Sequence, residues 1–268
     1  MEGVIKTDQT PHQKKEGFLL RAMTYNIHSC VGMDKKVNPE PIARVIDDSA
    51  PDIVALQEVD HRIPRTHHQD QAQLLAEMLN MEAFFFPVVR SGYQKYGLAV
   101  LSRFKCVDVH YDWLPTLYPQ LKLNLQKRGC IRATLQTPAG AVLFFNTHLG
   151  LYRLERRRQL RALLGEKWLA ARLQSQTAPV IFCGDFNAGP LSPIYRGLSR
   201  SLSDVQRAAT NPGHTRATFP SPSPLLRIDH IFVSHHFQTV DVTVPKTRDT
   251  QLASDHLPIF ADLELRPN

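Results

Sequence analysis

A chain of 268 residues with 43% hydrophobic and 21% charged residues has an ordinary globular composition and is long enough for one large α/β core. No uninterrupted apolar run approaches the roughly 18 residues of a helical membrane span, and the four scattered cysteines, Cys30, Cys106, Cys130 and Cys183, lack the close pairing of zinc sites and redox motifs. The formal charge of +7 favours a polyanionic partner: nucleic acid, an anionic lipid surface or a phosphorylated small molecule.

Residues 1–17 are polar, contain Pro11 and lack the apolar stretch of a secretory signal. They are expected to form a disordered tail ahead of a single domain over 18–268, in a cytoplasmic, monomeric protein with free thiols. Strands are predicted over 18–27 and 52–57. The helix between them has Asn38 as N-cap, Pro39 in its first turn and Ile42, Val45 and Ile46 as its buried stripe, and it stops at Ala50-Pro51. A second helix is predicted over 70–79, then strands over 84–88, 97–102 and 106–109.

The second half repeats this order. A hairpin over 131–136 and 141–146 precedes a strongly basic stretch, 152–172, with Leu160, Leu164, Trp168 and Ala171 at helical spacing. One amphipathic helix with a cationic outer face is expected there. Strands over 179–184, 228–233, 239–244 and 259–265 follow. The segments 190–193 and 211–224, rich in Pro, Ser, Thr and Gly, read as loops. Two sheets whose inner faces bury one another, with helices outside, satisfy this order: a four-layer αββα sandwich, α/β in class, of two packed mixed sheets.

Polar residues capable of binding metal or moving protons sit where the predicted strands end. Asn26 closes the first and Glu58 the second, His148 follows the hairpin, Asp185 and Asn187 follow the next strand, and Asp229, Asp255 and His256 complete the set. Each alone has an ordinary reading: a helix cap, a satisfied buried histidine, or a turn residue bonded to its own backbone. Their joint occurrence at strand ends points to a site.

The segments TYNIH, LQEVD, NTHL, GDFN, RIDHIFVS and SDHLPI, in this order from Thr24 to Ile259, resemble the endonuclease/exonuclease/phosphatase superfamily. The resemblance implies a four-layer αββα fold with the site at one end of the paired sheets. It also implies a phosphoric ester hydrolase in which Glu58 is the principal ligand of a divalent cation, helped by Asn26 and Asp255. Magnesium, or manganese in its place, suits such a set of oxygen donors.

The implied reaction is in-line attack of water on phosphorus. Asp185 and Asn187 would orient and deprotonate the water, Asp229 would hold and charge His256, and His148 would donate to the phosphate or the leaving oxygen. The general base is left open between Asp185 and the Asp229/His256 pair. Arg128 and Tyr96 stand where relatives place phosphate-contacting residues. The reading favoured is a phosphodiesterase acting on nucleic acid or a phospholipid headgroup; the alternative is a phosphomonoesterase on a small phosphorylated metabolite or a phosphoinositide.

Overall fold

The computed structural model describes residues 17–116, 126–175, 178–209 and 216–266. Residues 1–16 of the tail expected over 1–17 and the first part of the 211–224 loop lie outside these residues. In chain order the strands are β1 (Phe18–Asn26), β2 (Ile53–His61), β3 (Glu82–Ser91), β4 (Gln94–Ser102), β5 (Lys105–Trp113), β6 (Gly129–Thr137), β7 (Gly140–His148), β8 (Val180–Asp185), β9 (Ser203–Asp204), β10 (Asp229–Val233), β11 (Phe237–Thr243) and β12 (Ile259–Leu265). The helices are α1 (Pro39–Ser49), α2 (Gln71–Leu79), α3 (Arg153–Leu163), α4 (Ala170–Ser175), α5 (Pro193–Leu198), α6 (Val205–Ala208) and α7 (Arg248–Ala253).

Among the described residues the strands form two six-stranded mixed sheets, ordered β11-β12-β1-β2-β4-β3 and β5-β6-β7-β8-β10-β9. Alternating side chains from both, including Ile53, Ala55, Leu98 and Val100 from the first and Ile131, Ala133, Phe144 and Ile181 from the second, meet in one buried cluster. The opposite face of the first sheet is covered by Ile42, Val45, Ile46, Ala72 and Leu75 of α1 and α2. That of the second is covered by Leu163, Ile194 and Leu198 of α3 and α5, with Trp168 between. This is the αββα sandwich expected from the order of elements.

Local capping explains the helix boundaries. The Asn38 side chain accepts from the Glu40 N–H, and α1 ends with Ala50 in the left-handed region. Three expectations need correction. The basic stretch 152–172 is two helices: the chain turns at Gly165, where its N–H bonds back to the Ala162 carbonyl. That turn buries Trp168, while Leu160 and Leu164 are only half-buried.

Pro193 opens helix α5 because Ser192 accepts from the Tyr195 N–H and a proline suits the first turn. Glu58, in turn, does not close its strand. β2 runs on to His61, with a register shift against β4 between Leu56 and Val59, and Glu58 takes φ 59° within that bulge.

Candidate functional site

Two parallel ladders bring the site residues to one end of the sandwich. Asn26 pairs in register with Gln57, which places it beside the Glu58 bulge, and His148 pairs with Asp185, which pairs across with Asp229. The two sheets are pinned there by Asn146, whose Nδ2 donates to the Leu56 and Ala99 carbonyls at 2.8 Å each and whose Oδ1 accepts from Gln57 Nε2 at 2.8 Å.

Asn26 then joins the halves of the site. Its Nδ2 donates to Glu58 Oε1 at 3.2 Å and to Asp185 Oδ2 at 3.1 Å, and its Oδ1 accepts from the His28 N–H at 3.1 Å. Ser254 Oγ donates to the Asn26 carbonyl at 2.7 Å, which ties the residue before Asp255 to Asn26. Asp255 is half-buried, with His28 Nδ1 at 3.9 Å.

At the ends of β8 and β10 a buried run links Asp185 and Asp229 to Thr218 and to His256, which precedes β12 of the first sheet. Thr218 donates to Asp229 Oδ2 at 2.5 Å, His256 Nδ1 lies 2.9 Å from the same oxygen, and His256 Nε2 lies 3.9 Å from Asp185 Oδ2. His148 Nε2 is 3.3 Å from that Asp185 oxygen, and the Asn187 N–H donates to Asp185 Oδ1 at 2.9 Å. The Asn187 side-chain amide donates to the Leu149 carbonyl at 3.0 Å, and Phe219 packs on His256 with centroids 4.7 Å apart.

Burial and charge divide the protonation states. Burial opposes the charged form of His256, but the bonded Asp229 carboxylate, with Asp185 and Asp255 beyond it, outweighs burial and lifts the pKa to about 10. Burial, then the Asp229 charge, pushes Asp185 well above the usual carboxylate range. Burial, followed by the Arg128 and His256 cations, pushes His148 well below the ordinary histidine value and keeps it neutral.

Atoms of Asp185, Asp229 and His256 lie within 4.8 Å of one another, a spacing that would suit a metal ion. The hydrogen bonds argue against that use, since Asp229 Oδ2 and His256 Nδ1 are spent on each other and an imidazolium repels a cation. Glu58 fits a cation better. It is half-buried and, among the described residues, accepts a single hydrogen bond, from Asn26, while Asp255 flanks the same asparagine. Hard oxygen donors and no thiolate make up the set.

Arg128 and Tyr96 border this centre. The Arg128 charge acts on both His148 and Tyr96, and burial, then Glu58, raises the Tyr96 phenol. A cavity of about 740 Å³ opens beside them, lined by Ile63, Arg65, Val89, Arg90, Tyr96, Gln126 and Lys127.

Thr218, Phe219, Asp60 and Arg65 escaped the sequence reading. Thr218 and Phe219 lie in the loop left without a role, and no local pattern marks them. Asp60 belongs to LQEVD, and a carboxylate that ends up fully buried requires a cation. Arg65 supplies it through Nε and Nη2 at 2.8 Å each, with Thr66 at 3.2 Å and Ser29 at 3.2 Å.

The sequence model of the Endonuclease/Exonuclease/phosphatase family matches residues 23–256, a span that includes every residue of this centre. The chain belongs to the endonuclease/exonuclease/phosphatase family. It is therefore a hydrolase of phosphate esters, in a family that generally uses divalent metals. It is 27% identical over 270 residues to the uncharacterized protein YbhP of Escherichia coli K12, covering 95% of this chain and 100% of that one.

Among solved structures, an endonuclease/exonuclease/phosphatase from Beutenbergia cavernae aligns with TM-score 0.74 and 27% identity over 92% of this chain and 72% of its own. The catalytic domain of human nocturnin, with bound sulfate, aligns with TM-score 0.71 and 25% identity over 92% and 94%.

Proposed function

We propose that this family member is a phosphodiesterase in which Asp185 activates water for in-line attack on phosphorus and Glu58 and Asp255, on either side of Asn26, hold magnesium. The observation that carries the reading is one buried imidazole set between two carboxylates, Asp229 and Asp185, next to an under-satisfied Glu58.

In this arrangement His256, bonded to Asp229, presents positive charge to a phosphoryl oxygen, where charge builds up in the transition state. Asp185, fixed through Oδ1 by the Asn187 N–H, takes the proton of the attacking water. His148 donates to the leaving oxygen, the second amide hydrogen of Asn187 to a phosphoryl oxygen, and Arg128 and Tyr96 meet the phosphate from the cavity side. A bound divalent cation would neutralise phosphoryl charge.

The diester reading is favoured by the cavity of about 740 Å³ beside Tyr96, which gives room for a second ester arm. Purified protein should hydrolyse at least one diester in a panel of plasmid DNA, single strands, RNA, phospholipids and phosphomonoesters, with His256→Ala as the blank. Chelation should abolish turnover, magnesium or manganese should restore it, and Glu58→Gln should weaken the metal dependence while the protein stays folded. Turnover of monoesters only would overturn the diester assignment, and full activity in Glu58→Gln would overturn the metal assignment.

A further inference from the structure

Three strands that carry the centre continue into its rim on the second-sheet side, and each delivers exposed apolar side chains on pinned backbone. After His148, the Gly150 N–H donates to Gln159 Oε1 at 2.9 Å, and Arg156 Nη1 donates to the Gly150 and Leu151 carbonyls at 3.0 and 2.5 Å. This loop holds Leu151 at 66% exposure, with Tyr152 and Leu154 exposed beside it.

After Asp185, a turn closed by the Ser192 N–H on the Gly189 carbonyl holds Leu191 at 91% exposure. Before Asp229, the N–H groups of Leu225 and Leu226 both donate to the Phe219 carbonyl, leaving Leu225 at 78% exposure and Leu226 exposed. The segments touch. Asn187 Nδ2 bonds the Leu149 carbonyl at 3.0 Å, and a Cβ on Gly189 would meet the Arg227 carbonyl at 3.7 Å.

Single exposed leucines are ordinary. Six large apolar side chains on three adjoining, hydrogen-bonded segments around one site are an interaction surface. Arg153, Arg157 and Arg161 are exposed on α3, whose first turn supplies Leu154, so one helix of the rim carries apolar contact and positive charge together.

We propose that this rim docks on an anionic phospholipid surface, with its leucines in the acyl boundary and the α3 arginines on the headgroup phosphates. The inference rests on the hydrolase reading above and locates its substrate at a lipid headgroup. Stacking of nucleic acid bases would need exposed rings, and Tyr152 is the single aromatic among the six. The turn that carries Leu225 also carries Phe219, whose ring lies on His256, so the docked surface and the centre share one segment.

The test is sedimentation of the full chain with vesicles of phosphatidylcholine, alone or mixed with phosphatidylglycerol. The wild type should bind the mixed vesicles and bind pure phosphatidylcholine weakly. A Leu151→Ser, Leu225→Ser double variant should bind at least about tenfold more weakly, from the lost burial of two leucines. Arg153→Ala with Arg157→Ala should also weaken binding. Leu19→Ser with Val107→Ser, which removes exposed apolar side chains elsewhere, should bind like the wild type, and thermal melting checks that every variant is folded.

Absence of vesicle binding, equal loss in the Leu19/Val107 variant, or loss in the arginine variant with none in the Leu151/Leu225 variant would overturn the proposal. So would self-association that the leucine variant removes in the absence of vesicle binding, which would give the rim to a second copy of the chain. Binding is read without turnover, and hydrolysis of soluble bis(p-nitrophenyl) phosphate is read without vesicles. A failed binding assay therefore refutes docking alone, and failure on bis(p-nitrophenyl) phosphate together with every diester of the panel refutes the diesterase reading alone.

Discussion

Arg65 illustrates how one side chain can serve stability and binding together. Two of its nitrogens are fixed by the fully buried Asp60, and one of those also reaches Ser29 at 3.2 Å, while its guanidinium lies 5.8 Å from the Tyr96 ring on the cavity wall. The fork is planar and pre-set, so the group offers charge to the cavity without first being ordered.

Arg65→Lys keeps the charge and loses the fork. It is expected to lower stability by about 1–2 kcal/mol, since Asp60 keeps a poorer partner. It should also raise KM for a diester substrate several-fold and leave kcat less affected, because Arg65 stands beside the reacting centre. Urea unfolding and steady-state kinetics on the same preparation read the two effects separately. An unchanged KM with lowered stability would leave Arg65 a purely structural clamp.

At the scale of elements, the outcome depends on how local the determining signal is. The limits of α1 were legible because Asn38, Pro39 and Ala50 are local signals that the chain obeys. The ends of β7 and β8 were legible because polar residues follow apolar runs there. The bulge at Glu58 was not, since it arises from pairing with β4 and is invisible within LQEVD. The split of the basic stretch was missed because the apolar spacing of Leu160, Leu164 and Trp168 continues across Gly165 while the backbone does not.

The candidate site residues were visible as a set of motifs, and their ties were not: Thr218 on Asp229 and Asn26 on two carboxylates depend on segments far apart in the chain. β8 offers a direct test of such a non-local constraint. Gly184 has φ +149°, and a Cβ there would stand 2.0 Å from the Thr147 carbonyl oxygen of β7, so the residue before Asp185 must lack a side chain. Gly184→Ala should push β7 and β8 apart, lower stability by on the order of 3 kcal/mol, and reduce activity by displacing Asp185 from His148. Urea unfolding of the variant checks this, and a stability within error of wild type would refute the close approach.

For the whole molecule, the sandwich places the centre over a core in which ionisable groups are buried, and pH then reports on folding. His230 is the clearest case. It is buried behind Asp229, with Nε2 2.8 Å from the Ala188 carbonyl and its ring packed among Phe186, Tyr195 and Phe232. Burial, then the Arg227 charge, lowers its pKa from 6.5 to about 4.

The unfolded chain therefore binds a proton at His230 that the folded protein refuses. The stabilisation is complete above the unfolded value and is lost as pH falls from there toward the folded value. His256 works in the opposite sense. Raised to about 10, it contributes below its unfolded value, and that contribution fades as pH rises through the folded one.

Comparing variants isolates the first effect. Between about pH 7 and about pH 5 the His230 contribution should fall by about 2 kcal/mol, and His230→Gln, which keeps a donor for the Ala188 carbonyl, should lose that much less stability over the same interval. Urea unfolding of both proteins at the two pH values measures the difference. Identical losses would mean that His230 is protonated in the folded state, and the sign of the core's response to acid would then have to come from other groups.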